Sequence, residues 1–180
     1  MKIICISGKA QHGKDTSAIF MKEALERRGN RVLIAHFADT LKYICKTFFN
    51  WNGEKDEAGR ELLQYVGTDV IRKKKPSYWV DFIKSVLELF ADEWDYVLLA
   101  DCRFPNELED FKLGGFDAIL VRVDRKNFTS PLSAEQQQHI SETAMDGYPH
   151  DYFLPNDGDL DALECEACVL VSKIVGEGHD

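Results

Sequence analysis

The sequence predicts an α/β fold: a mostly parallel five-stranded sheet with helices on both faces and a lid. Three observations carry that expectation. Short apolar runs alternate with stretches of helical spacing along the 180-residue chain. The first apolar run passes straight into a glycine-rich loop and then into a helical pattern. A second, strongly apolar run, Tyr96–Ala100, ends on an acid, Asp101.

Lys2–Ile6 is the expected first strand. Asp15–Arg28 then shows helical spacing through Ile19, Phe20, Ala24 and Leu25, and Gly29 supplies a C-terminal stop. Arg31–His36 reads as a second strand and Asp39–Phe49 as a helix broken by Asn50-Trp51-Asn52-Gly53. Two helical stretches follow, Glu57–Lys74 and Tyr78–Trp94, parted at Pro76. Tyr96–Ala100 is the third strand, Asn106–Leu113 a short helix closed by Gly114-Gly115, and Ala118–Val123 the fourth strand. Residues 124–149 are polar with little apolar periodicity and read as a mobile lid. Tyr152–Leu154 is a short fifth strand and Leu160–Val175 the closing helix. The expectation is one domain over 1–180, with a central helical region over 38–94.

Hydrophobic residues make up 44% and charged residues 29%, ordinary for a globular protein. No apolar run approaches the ~20 residues that cross a bilayer, and the N-terminus is too short for a signal peptide, so a cytoplasmic protein without a membrane partner is expected. The net charge of −9 argues against a nucleic-acid partner. Arg72-Lys73-Lys74-Lys75 is the densest basic run, either a solvated helix end or a group near a phosphate. Five scattered cysteines read as reduced thiols; Cys165 and Cys168 have CxxC spacing but lie in a helix with no second pair nearby.

Gly8-Lys9-Ala10-Gln11-His12-Gly13-Lys14 fits GxxxxGK. Glycines let the backbone wrap so that several N–H groups converge on phosphate oxygens, and the helix that follows turns its positive end toward the same anion. The ATP-binding set is therefore Gly8, Ala10, His12, Gly13 and Lys14, with Lys14 reaching the β- and γ-phosphates. The position after the lysine normally carries a hydroxyl that binds Mg²⁺; here it is Asp15, followed by Thr16, which falls near the α-phosphate. A carboxylate is a good hard ligand, so Asp15 and Asp101 form the expected Mg²⁺ pair. Arg103 is placed to stabilise the transferring phosphoryl group or clamp the acceptor, or else to form a surface pair with Glu107. Arg122 and Arg125, at the start of the lid, are candidates to close over the phosphates.

Together these motifs resemble the deoxynucleoside monophosphate kinases of tailed bacteriophages and related bacterial proteins. The resemblance runs through Gly13-Lys14-Asp15-Thr16, Phe37-Ala38-Asp39-Thr40-Leu41-Lys42, Leu63–Asp69 with Arg72, Tyr78-Trp79-Val80, Asp101-Cys102-Arg103, His139-Ile140-Ser141-Glu142 and Asn156-Asp157-Gly158. It implies a P-loop, nucleoside-monophosphate-kinase-like fold, ATP and Mg²⁺ as cofactors, and nucleotides as substrates. It places Asp39, Lys42, Arg60, Gln64, Thr68, Asp69 and Arg72 on the acceptor side, and Asn156 and Gly158 beside adenine. Animal phosphomevalonate kinase shares part of the pattern, so another small phosphorylated acceptor is an alternative, as is a nucleotide-sensing module without turnover. The oligomeric state is left open, a homodimer included.

Overall fold

The computed structural model describes residues 1–126 and 128–176. Its elements follow the order expected: β1 (Lys2–Ser7), α1 (Lys14–Glu26), β2 (Val32–Ala35), α2 (Ala38–Phe48), α3 (Glu57–Gln64), α4 (Tyr78–Leu89), β3 (Tyr96–Cys102), α5 (Asn106–Leu113), β4 (Asp117–Asp124), α6 (Ala134–Gln138), α7 (Ile140–Thr143), β5 (Tyr152–Pro155) and α8 (Leu160–Gly176). The strands form one sheet in the order β2-β3-β1-β4-β5, every neighbouring pair parallel.

Strands buried on both faces need apolar residues at successive positions, and β1 shows why. Ile4 and Ile6 point to one face, where they pack with Ala18, Met21 and Leu25 of α1 and Leu163, Ala167 and Leu170 of α8. Ile3 and Cys5 point to the other face, against Val80 and Leu87 of α4 and Leu108 and Phe111 of α5. With β3 on one side of β1 and β4 on the other, the direction of winding reverses at β1. The crevice beyond its carboxyl end is the place where ligands meet such sheets.

Two segments differ from expectation. After Gln64 the helix widens into a π-helical stretch, Tyr65–Arg72. Gly67 permits close packing there: a Cβ would stand 2.6 Å from Leu41 Cδ2, and its carbonyl accepts the indole N–H of Trp79 at 3.3 Å. Trp79 is thus a core residue that anchors this turn. The lid is not a featureless loop. It carries two short helices, α6 opened by a reciprocal Ser133–Gln136 capping box, and buries Leu132 and Met145.

Candidate active site

The phosphate-binding loop takes its shape from three residues in the left-handed region, Gly8 (φ 153°), Gln11 (φ 61°) and Gly13 (φ 92°). At the two glycines a side chain is also excluded by contact. A Cβ on Gly8 would lie 2.4 Å from Val123 O, and one on Gly13 would lie 2.4 Å from Asn156 Nδ2. Asn156 is buried behind the loop and donates to His12 O at 2.9 Å, so its amide braces the loop from below; Gly158 lies in the turn between β5 and α8. His12 is pinned as well. Burial pushes its pKa down, the Asp124 carboxylate 3.1 Å from Nδ1 opposes that, and Arg125 N lies 3.1 Å from the same nitrogen.

Lys14 is only 8% exposed, and its ammonium donates to Gly8 O and Lys9 O at 2.9 Å each. Burial pushes its pKa down to about 8, and Arg103 acts in the same direction. A charge held this way gains from any anion that enters the loop. Asp15 is exposed and accepts from His36 Nε2 at 2.9 Å, which holds its carboxyl below the usual range; His36 also approaches Asp39 at 3.3 Å. Thr16 lies in the first turn of α1. Both oxygens of Asp101 face the N-terminus of α2, accepting from Phe37 N at 2.8 Å and Ala38 N at 2.9 Å. This carboxylate therefore ties α2 to the end of β3. Mg²⁺ usually binds through one or two carboxylates plus phosphates and water. Asp15 and Asp101 would suit such a role, Asp15 through an exposed carboxylate whose Oδ1 is already held by His36 and Asp101 through its remaining lone pairs.

The lid docks on the loop through acidic groups. The Glu142 carboxylate accepts from Ala10 N at 3.1 Å and pairs with Arg103, while Lys9 Nζ donates to Glu142 O at 2.7 Å and to Asp146 at 2.6 Å. Arg122 and Arg125 flank the start of the lid as expected, outside the acceptor cavity. Arg122 belongs to β4, with its guanidinium 3.7 Å from Asp146, and Arg125 lies over the Phe128 ring at 5.0 Å; neither lines the cavity described next. Arg103 does, and its partner is Glu142 rather than Glu107.

That cavity, about 180 Å³, opens between the loop side of the sheet, α2, α3 and the π-helical stretch. Phe37, Leu41, Leu63 and Phe104 give it apolar walls, Gln64 and Thr68 polar ones, and Lys42, Lys55, Arg60, Arg72 and Arg103 a cationic rim. Of the sequence-predicted acceptor residues, Lys42, Arg60, Gln64, Thr68 and Arg72 line it. Asp39 and Asp69 do not: Asp39 pairs with Lys42 at 2.7 Å, and Asp69 faces a separate acidic cleft with Glu57, Glu61 and Glu135. Residues 64, 68 and 72 recur every four positions along one helical face. Asp69 falls about a quarter turn around from it.

The sequence points to Glu107 only as a surface partner for Arg103, whereas the structure buries it in the cavity wall. It is 2% exposed, pairs with Arg72, and accepts from Arg103 N at 2.6 Å and Phe104 N at 3.0 Å. Burial pushes its pKa up, while Arg72 and the two amides oppose that. Arg72 itself has its guanidinium carbon over the Phe104 ring, 3.9 Å from the centroid, and donates to Asn106 Oδ1 at 3.1 Å. It is thus a wall fixed in place, while Lys73–Lys75 are exposed. Cys165 and Cys168 are free thiols on α8, Cys168 accepting from Arg27.

Comparison with known proteins agrees with this geometry. The chain is similar to a protein of Acanthamoeba polyphaga mimivirus provisionally named a deoxynucleotide monophosphate kinase, 28% identical over 81% of this chain and 82% of the relative. It is also similar to the deoxynucleotide monophosphate kinase of Enterobacteria phage T4, 29% identical over 62% of this chain and 44% of that longer protein. In fold it is similar to the APS kinase of Mycobacterium tuberculosis in complex with AMPPNP and APS (TM-score 0.54, 15% identity, 95% and 97% of the two chains). A second fold relative is shikimate kinase of Aquifex aeolicus (TM-score 0.51, 14% identity, both chains covered in full). The family model for deoxynucleotide monophosphate kinase matches residues 28–166. With a phosphate-binding loop at the winding reversal and a cation-rimmed cavity beside it, the chain belongs to the deoxynucleotide monophosphate kinase family.

Proposed function

We propose that this protein moves the γ-phosphoryl group of ATP onto a deoxynucleoside monophosphate, giving ADP and the deoxynucleoside diphosphate, and that it works as one cytoplasmic P-loop domain. The observation that carries this reading is the cavity: apolar walls and amide or hydroxyl groups suited to a base, and a cationic rim next to the phosphate loop suited to a phosphate.

An oxygen of the acceptor phosphate, already anionic at neutral pH, attacks the γ-phosphorus as the bond to the β–γ bridging oxygen breaks. No general base is needed. Catalysis is positioning and charge neutralisation. The loop amides around Ala10 and the Lys14 ammonium would hold the β- and γ-phosphates. Arg103, between loop and cavity, would face the group in transit. Mg²⁺ would be held by Asp15 and Asp101 and would supply further charge neutralisation on the phosphates. His36 orients the Asp15 carboxylate. Asn156 supports the loop from behind, and Gly158 follows it in the turn where adenine would lie.

The test is turnover of a panel of the four deoxynucleoside monophosphates, ribonucleotides and phosphomevalonate in an assay of ADP release. Turnover of one or more deoxynucleotides is expected. Turnover of phosphomevalonate alone, or of no acceptor, overturns the reading.

A further inference from the structure

Five cationic side chains line the cavity, and three of them already face a carboxylate. Lys42 is bound to Asp39, Arg72 to Glu107 and Arg103 to Glu142, and Arg60 gives its Nε to the Lys55 carbonyl at 2.9 Å. The Lys55 ammonium has no hydrogen-bond or ion-pair partner among the described residues. Its surroundings disfavour the charge it carries. Burial lowers its pKa, and Lys42, Arg103 and Arg60 push in the same direction, with Asp15 opposing. Lys55 is an exposed residue, and a cation placed among cations is stabilised by an anion that several of them share.

The backbone that carries Lys55 is fixed. The segment from Trp51 to Asp56 wraps onto the first turn of α3. The Trp51 indole donates to Glu54 O at 2.9 Å, Glu54 N to Asn52 Oδ1 at 2.9 Å, and Gly59 N to Asp56 Oδ1 at 2.8 Å. Gly59 makes that wrap fit, since a Cβ there would stand 2.1 Å from Glu54 O and 2.7 Å from the indole nitrogen. Lys55 is therefore presented to the cavity by a built loop. It lines the same cavity as Asp101, Arg103 and Glu142, and Glu142 is bonded to the phosphate loop at Ala10 N.

We infer that Lys55 is a catalytic residue whose ammonium binds the phosphate monoester of the acceptor at the point where it meets the γ-phosphate. Two phosphate groups repel as they approach, and a cation between them lowers that barrier. The inference rests on the kinase reading above but concerns the acceptor's phosphate and not its base.

Lys55→Met removes the charge and keeps the stem; Lys55→Arg restores a cation. With the best acceptor from the panel, Lys55→Met should raise acceptor KM about 10- to 100-fold, the worth of one charged hydrogen bond. The dissociation constant for ATP, measured by calorimetry on the same full chain, should stay within about three-fold, and that unchanged value also shows that the variant is folded. Lys55→Arg should recover part of the loss. An unchanged acceptor KM in Lys55→Met, or equal losses for ATP and acceptor, overturns the inference even if deoxynucleotides are substrates. If phosphomevalonate is the acceptor instead, the base assignment fails while the same KM comparison still decides Lys55. If no phosphate monoester is turned over or bound by the wild-type protein, the inference about Lys55 falls with the kinase reading.

Discussion

The donor and acceptor halves proposed for this site are built by different means. The donor half is a backbone object: nine consecutive residues, Gly8–Thr16, whose shape is set by left-handed dihedrals and by the Asn156 brace. The acceptor half is a side-chain object. Its walls and rim come from α2, α3, the π-helical stretch, the start of α5 and the lid, and its arginines are oriented by carboxylates 35 and 39 residues away. A backbone site tolerates change at most of its side chains but at few of its dihedrals. A side-chain site fails one partner at a time.

The largest expected effect breaks the donor half where it does depend on a side chain. Lys14→Ala should lower kcat by at least about 10²-fold, the scale seen when a preorganised charge on a reacting group is removed. Near-normal turnover would dissolve the contrast, because the loop would then act through its amides alone.

Next comes the acceptor half. Glu107→Ala leaves the Arg72 guanidinium, whose side chain is 12% exposed, without its partner and leaves the amides of Arg103 and Phe104 without an acceptor. Breaking a buried pair by removing one member costs about 3–5 kcal/mol. Chemical denaturation should show a loss of that order, and acceptor KM should rise more than ATP KM. A small loss of stability with ATP binding weakened instead would mean that Glu107 serves the donor side.

The pH profile gives a subtler separation. The folded pKa of Lys14 is lowered to about 8, so in the free protein its charge is present below pH 8 and lost above it. The rate constant kcat/KM for ATP should therefore fall as pH rises through about 8. The limb for kcat should lie higher, since bound phosphate favours the charged form. For stability the sign runs the other way. Between pH 8 and the ordinary lysine value near 10.5 the unfolded chain holds more protons at this site, so this residue's contribution to stability rises with pH. A kcat/KM limb unaffected by Lys14→Arg would assign it to another group.

The same contrast explains what could be read from the sequence. The loop was legible because its residues are contiguous, and the strands because each is a short run buried on both faces. The element order and most boundaries hold to within a few residues. The π-helical widening left no mark, since its apolar spacing through Val66 and Val70 reads like an ordinary helix. Gln64, Thr68 and Arg72 were reached through the family resemblance, which brought Asp69 with them; in the structure the three share a face and Asp69, one position on, turns away. Glu107 and Lys55 carried no local signal, as their roles are defined by partners distant in sequence. The lid's order was half legible: Ser133-Ala134-Glu135-Gln136 is a capping-box pattern, but helices of five and four residues are too short to show periodicity.

Glu142 carries one more consequence. Its carboxylate accepts from the same Ala10 amide that an incoming phosphate would use, and it is tethered to the molecule it occupies. Such an anion is an internal competitor. Nucleotide must displace it at an effective concentration set by the tether and not by dilution, so the measured affinity is the intrinsic one multiplied by the fraction of molecules in which the carboxylate has swung out. Glu142→Gln, which weakens the competitor while keeping its size, should therefore tighten ATP binding by a few-fold, and weaker binding in a calorimeter would count against that rivalry. Under the proposed function, a loop so occupied would discriminate by charge: a ligand with a single phosphate has less with which to evict the carboxylate than a triphosphate does, and the donor end of the site would thereby be kept for the donor.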